Sequence, residues 1–159
     1  MKHSAGEKIL LLKAERFCAY QERCRFEVEQ KLRKLGAMPE EIKKIVVSLE
    51  EDDFLNEERF AKLFVSGKFR IKHWGKNKIR AELRMKKISN DKIQNVLDEI
   101  NEEEYFNTIK KLAGQKRKKI QNTEYRIQNQ KIGMFLSSRG FESELIWKVL
   151  KKNTSTDSV

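Results

Sequence analysis

Apolar residues recur along this chain at helical spacing. Val28, Leu32 and Leu35 stand at i, i+4, i+7, and Ile42, Ile45, Val46 and Leu49 stand at i, i+3, i+4, i+7. Each set is one apolar stripe on one helix. No segment shows the period-two alternation of a strand. The same pair of stripes returns twice. Aligning 26–49, 77–100 and 130–153 on Gly36, Lys87 and Gly140 places Val28 with Ile79 and Ile132, and Leu32 with Leu83 and Leu136. Beyond the break, Ala37 meets Ile88 and Phe141, Ile42 meets Ile93 and Ile146, Ile45 meets Val96 and Val149, and Val46 meets Leu97 and Leu150. The chain is an internal repeat, and the repeat has to be read before the fold.

Gly36 and Gly140 suit the left-handed residue just past a helix C-terminus. Pro39 suits the first turn of the next helix, and Ser89 suits an N-cap. Two short helices joined this way form a helix-turn-helix pair. Such a pair cannot close a core alone, and a third helix precedes each one. Leu10, Ala14 and Phe17 stripe the first, Phe60 and Phe64 the second from near Asn56, and Phe106, Ile109 and Ala113 the third from near Glu102. The expected fold is all-α: three tandem three-helix, helix-turn-helix-like repeats over 7–53, 54–101 and 102–153, with a flexible tail over 154–159. Charged residues make up 37% of the chain, against about 25% in ordinary domains. That composition favours small cores in series, and so an elongated, curved molecule.

Charge changes the picture further, because Lys and Arg exceed Asp and Glu by 35 to 24, a formal net charge of +11. Such an excess points to an anionic partner. A membrane is the poorer candidate, since no apolar run approaches the roughly 20 residues of a spanning helix. Ile9–Leu12 is too short for a signal-peptide core, so a cytoplasmic protein is expected. Cys18 and Cys24 are read as ordinary thiols, because two cysteines with distant His3 and His73 make no zinc site. No metal, cofactor or catalytic constellation is expected, and the chain is read as a non-enzyme.

Nucleic acid remains. From Lys62 to Lys87 ten basic residues face one acid, Glu82. Lys76, Arg80, Arg84 and Lys87 recur along one side of a helix, opposite Ile79 and Leu83. The expected binding residues are Lys72, Lys76, Lys78, Arg80, Arg84, Lys86 and Lys87, with Arg117, Lys118 and Lys119 second. Their density would neutralise several phosphates and make binding strongly salt-dependent. Acid collects at Glu50–Asp53 and Glu102–Glu104, read as lying at helix starts or just before them, where it complements the dipole. Phe64, Phe69, Trp74 and Tyr125 lie among the basic residues. Stacking on bases is one use for them; packing is the expected one, with Trp74 beside Gly75. Trp147 is expected to be partly buried.

Asn56-Glu57-Glu58-Arg59-Phe60-Ala61, then Trp74-Gly75-Lys76-Asn77-Lys78-Ile79-Arg80-Ala81-Glu82-Leu83, then Lys86-Lys87-Ile88-Ser89 together resemble the RecX family, bacterial regulators of the RecA recombinase. The resemblance runs from about Leu12 to Lys152. Three positions depart from the family pattern. Asn56-Glu57 stands for two aspartates, Asn77 for a frequent proline, and Lys87 for a glycine, at a cost of about 1 kcal/mol if the turn stays left-handed. The resemblance implies tandem three-helix repeats and a monomer that lodges in the groove of the RecA filament on single-stranded DNA. It also implies weak, salt-sensitive contact with the DNA itself, and suppression of ATP hydrolysis, strand exchange and the co-protease activity behind the SOS response. The alternative is a duplex-DNA-binding transcription regulator. It would present Pro39-Glu40-Glu41, Asn90-Asp91-Lys92 and Ser143-Glu144 to a major groove, and acid at those ends argues against it.

Overall fold

The computed structural model describes the backbone of residues 3–157 and side chains through residue 151. The side chains of the tail expected over 154–159 all lie outside the described ones, and the backbone of 154–157 continues the last helix. Every regular element among the described residues is a helix. The order is α1 (Ala5–Tyr20), α2 (Arg25–Lys34), α3 (Pro39–Glu51), α4 (Glu57–Arg70), α5 (Lys76–Met85), α6 (Asn90–Asp98), α7 (Glu102–Lys119), α8 (Tyr125–Ser138) and α9 (Ser143–Asp157).

Local chemistry starts these helices. Ser4 and Glu7 close a reciprocal capping box at α1. Pro39 opens α3. Asn56 accepts from the Arg59 amide at 2.9 Å, and Asn101 from the Glu104 amide at 2.8 Å. Each helix pair is joined by one recurring turn. Gly36, Lys87 and Gly140 have φ of 86°, 61° and 96°. Their amides reach back to Arg33, Arg84 and Ser137, and the following amides reach Leu32, Leu83 and Leu136. That double closure is the Schellman arrangement. Lys87 therefore adopts the same left-handed turn as the two glycines rather than a different one. Lys87→Gly should relieve about 1 kcal/mol of backbone strain and forfeit about 0.5 kcal/mol from the Lys87 ammonium over Phe26. A net gain of about 0.5 kcal/mol is expected as a higher urea midpoint at unchanged slope.

The chain forms two compact units. One comprises residues up to Phe64 with Leu83–Lys92; the other comprises Val65–Glu82 and residues from Ile93 onward. Helices α4, α5 and α6 each supply residues to both. In the first unit, Ala14, Cys18, Val28, Leu32, Ile42, Ile45, Val46, Leu49 and Leu55 form one buried cluster, close to the stripes read from the sequence. Cys18 and Cys24 are free thiols. Burial pushes both up to about 11, so they stay protonated near neutrality.

The segment Asn56–Ala61 braces this unit. Arg59 donates through Nε to Glu22 at 2.6 Å and through its two terminal nitrogens to the Asp53 carboxylate at 3.1 Å and the Asp53 carbonyl at 2.9 Å. Glu57 accepts from the Arg25 amide at 3.4 Å, the first of α2, and pairs with Lys92 at 3.8 Å. Phe60 and Ala61 are buried. The acidic run Glu50–Asp53 lies on the last turn of α3, its cap and the residue beyond, ahead of α4. Arg25 compensates by holding Glu50 at 2.6 Å. The run Glu102–Glu104 does occupy a first turn, that of α7.

In the second unit, Phe69, Tyr105 and Phe141 form a chain of tilted rings with centroids 5.6 and 5.5 Å apart. Ile109, Leu112, Ala113, Ile132, Leu136, Ile146, Val149 and Leu150 are buried with them. Two expectations fail here. Tyr105, not Phe106, is the buried aromatic of α7; Phe106 is only half-buried. Trp147 is 69% exposed, because the buried face of α9 is Ile146, Val149 and Leu150 and position 147 points off it.

Candidate nucleic-acid interface

The start of α5 has no acid in its first turn, so its unpaired amides need partners from elsewhere. The second unit supplies them. The Lys76 amide donates to the Tyr105 hydroxyl at 3.0 Å, and the Asn77 amide to the Gly140 carbonyl at 2.9 Å. The Tyr105 hydroxyl in turn donates to Glu142. Burial and that carboxylate hold the phenol well above its ordinary range. The Gly75 amide donates to the Arg139 carbonyl at 2.7 Å, and Arg139 Nη1 to the Lys72 carbonyl at 2.9 Å. The α4–α5 turn and the α8–α9 turn are therefore laced together backbone to backbone. Gly75 permits it: a Cβ there would sit 2.3 Å from the Gly140 carbonyl carbon. Tyr105 and Arg139 were not picked out in the sequence.

The cations on and around α5 share one property. Their partners are neutral. Arg80 donates to Asn77 at 3.2 Å and to Gln94 at 3.5 Å. Arg84 donates to Asn90 at 3.1 Å. The ammonium of Lys76 lies 5.0 Å from the Tyr105 ring centroid, that of Lys78 4.4 Å from the Trp74 ring, and that of Lys87 5.3 Å from the Phe26 ring. Lys72 is exposed. Lys86 is the exception, paired with Glu27 at 3.3 Å.

The secondary cluster divides in the same way. Arg117 donates to Gln128 at 3.0 Å and to Asn129 at 2.6 Å, with its guanidinium over Tyr125. The buried Gln128 amide also holds the Ile120 and Thr123 carbonyls of the α7–α8 loop, at 3.0 and 2.9 Å. Arg117 is thus part of the loop's framework, while Lys118 and Lys119 are exposed. No group of three or more His, Cys, Asp or Glu among the described residues could hold a metal ion. Among the same residues, no helix is long and apolar enough to cross a membrane. The first turns of α3, α6 and α9 carry acid at Glu40, Glu41, Asp91 and Glu144.

These features define an all-α protein of three helix-turn-helix-like repeats, with cations on the middle repeat held in place by neutral groups. Models of the first, second and third three-helix domains of RecX match residues 11–49, 56–97 and 102–150. The chain belongs to the RecX family. It is 29% identical over 145 residues to regulatory protein RecX of Lactobacillus johnsonii, covering 91% of this chain and 54% of that protein. It is 34% identical over 129 residues to regulatory protein RecX of Clostridium botulinum strain Eklund 17B, covering 79% and 59% respectively. The chain thus spans a little over half the length of these relatives. The crystal structure of RecX from Lactobacillus salivarius shares the fold, with a TM-score of 0.85 at 24% identity over 92% of this chain and 95% of that one.

Proposed function

We propose that this chain is a non-catalytic, cytoplasmic regulator of the RecA recombinase. It binds as a monomer to the RecA filament on single-stranded DNA and suppresses ATP hydrolysis, strand exchange and co-protease activity. Family membership supports the regulatory role, and the name of the relatives, regulatory protein, agrees with it. One observation carries the reading of the surface. Lys72, Lys76, Lys78, Arg80, Arg84 and Lys87 form no ion pair among the described residues, in a chain with 24 acidic residues. Amide oxygens and aromatic faces fix their heads without neutralising them, which leaves their full charge for phosphate or for carboxylates on the filament. Lys118 and Lys119 extend the same chemistry. Arg117 contributes charge from a fixed position, and Lys86 mainly joins α2 to the turn after α5.

The test is single-stranded-DNA-dependent ATP hydrolysis by RecA of the same organism, with this protein titrated in. Inhibition well below stoichiometric amounts, at salt where the protein alone holds DNA poorly, is the expected result. Inhibition that begins only once the protein coats the DNA would reduce it to a general nucleic-acid binder.

A further inference from the structure

The turn between α4 and α5 carries a tryptophan among cations. Trp74 is half-buried. Two ammonium groups lie against its ring, Lys68 at 4.6 Å and Lys78 at 4.4 Å from the centroid. The backbone beneath is tightly held. The Trp74 amide donates to the Lys68 carbonyl at 2.9 Å, the His73 amide to the Phe69 carbonyl at 3.1 Å, and Arg139 grips the Lys72 carbonyl at 2.9 Å. His73, immediately before it, is a non-glycine residue at φ 56°. Local strain of that kind persists only where the surroundings over-determine it. The other tryptophan, Trp147, is more exposed, and no cation lies over its ring among the described residues.

We infer that this turn is a stacking seat for one unpaired base of single-stranded DNA, with Trp74 as the platform and Lys78 serving an adjoining phosphate. The inference rests on the nucleic-acid reading above and names the part of the ligand this turn would take. The indole and the two ammonium-bearing side chains are half-buried, and a base stacked on an aromatic side chain is held at least as firmly as an ammonium over that ring. A phosphate is also the better partner for an ammonium, since the hydrogen bond is charge-assisted. When a base arrives, Lys78 exchanges the ring for phosphate. Lys72, exposed on the same turn, is placed to meet a second phosphate. The site selects for bases that are out of a duplex, because only those offer a free face.

The full chain carrying Trp147→Phe has Trp74 as its one tryptophan, since the sequence holds two. Its fluorescence is followed while a 15-nucleotide-scale single strand is added, and again with an oligonucleotide of the same length in which the bases are replaced by abasic sites. Strong quenching by the first and a much smaller change with the second, from the lysine leaving the ring, is expected. In the same background, Trp74→Ala should weaken binding of the base-containing strand about tenfold. It should leave the affinity for the abasic strand and the salt slope unchanged, because no phosphate contact is removed; Trp74→Phe should retain most of the affinity. Equal quenching by both strands overturns the seat, as does undiminished binding by Trp74→Ala. Should the alanine variant lose its helicity, the abasic comparison and Trp74→Phe still decide. Salt-dependent binding without base-dependent quenching removes the stacking seat alone, whereas failure of both strands to bind at low salt removes the nucleic-acid reading with it.

Discussion

Gly75→Ala is expected to unfold the second unit or to weaken it by more than about 3 kcal/mol. The added methyl would lie 2.3 Å from both the Gly140 carbonyl carbon and the Phe141 amide nitrogen, and 2.4 Å from the Gly140 oxygen. All three are backbone atoms and cannot rotate aside. Separating the two turns would break the hydrogen bonds from the Gly75 and Asn77 amides. It would also pull Phe141 away from Tyr105, whose hydroxyl caps the Lys76 amide. Overpacking costs about 1–3 kcal/mol where side chains can adjust, and two lost hydrogen bonds add about 1 kcal/mol each. Gly114→Ala is the control. It lies in α7 with nothing within 4 Å of the added methyl, so a gain of about 0.5–1 kcal/mol is expected. Urea unfolding followed by hydrogen exchange of α7–α9 separates the outcomes. Native protection in Gly75→Ala would mean that the two turns can part without consequence.

Reversing Lys76, Arg80 and Arg84 together to glutamate should cut DNA affinity by on the order of a hundredfold at moderate salt and lower the salt slope by about three. Filament inhibition should fall with it. The three heads lie on one helix and among the described residues none forms an ion pair, so the change removes external contacts first. Helicity by circular dichroism should hold, because the buried face of α5 is Ile79 and Leu83. Full inhibition by the reversed protein would place the filament-binding surface elsewhere.

The repeat was legible because its turns are written locally. Gly36 and Gly140 announce a left-handed residue, and the positions that follow each turn fall in register. That same register exposed Lys87 as the odd member, and the backbone confirms its conformation. What the sequence hides is set by residues far apart in the chain. Tyr105 and Phe106 fit the stripe of α7 equally well by spacing, and only the Lys76 amide and Glu142 decide that Tyr105 turns inward. Trp147 beside Ile146 reads as partly buried until the buried face of α9 is seen to end at its edge. For the candidate interface, charge density was readable, but the neutral partners were not. Asn77, Gln94 and Asn90 carry no signal of their own that tells a clamp from an ordinary surface amide.

Those three amides bear on how long a complex would last. A guanidinium that is already oriented before the partner arrives has surrendered its rotamer freedom during folding, so little ordering remains to oppose association. Long-range attraction is indifferent to the clamps, because they leave the net charge unaltered. Encounter rates would therefore follow ionic strength, while the lifetime of the bound state would follow the stiffness of Arg80 and Arg84. Relatives that keep the cations but exchange the amides would arrive equally fast and leave sooner.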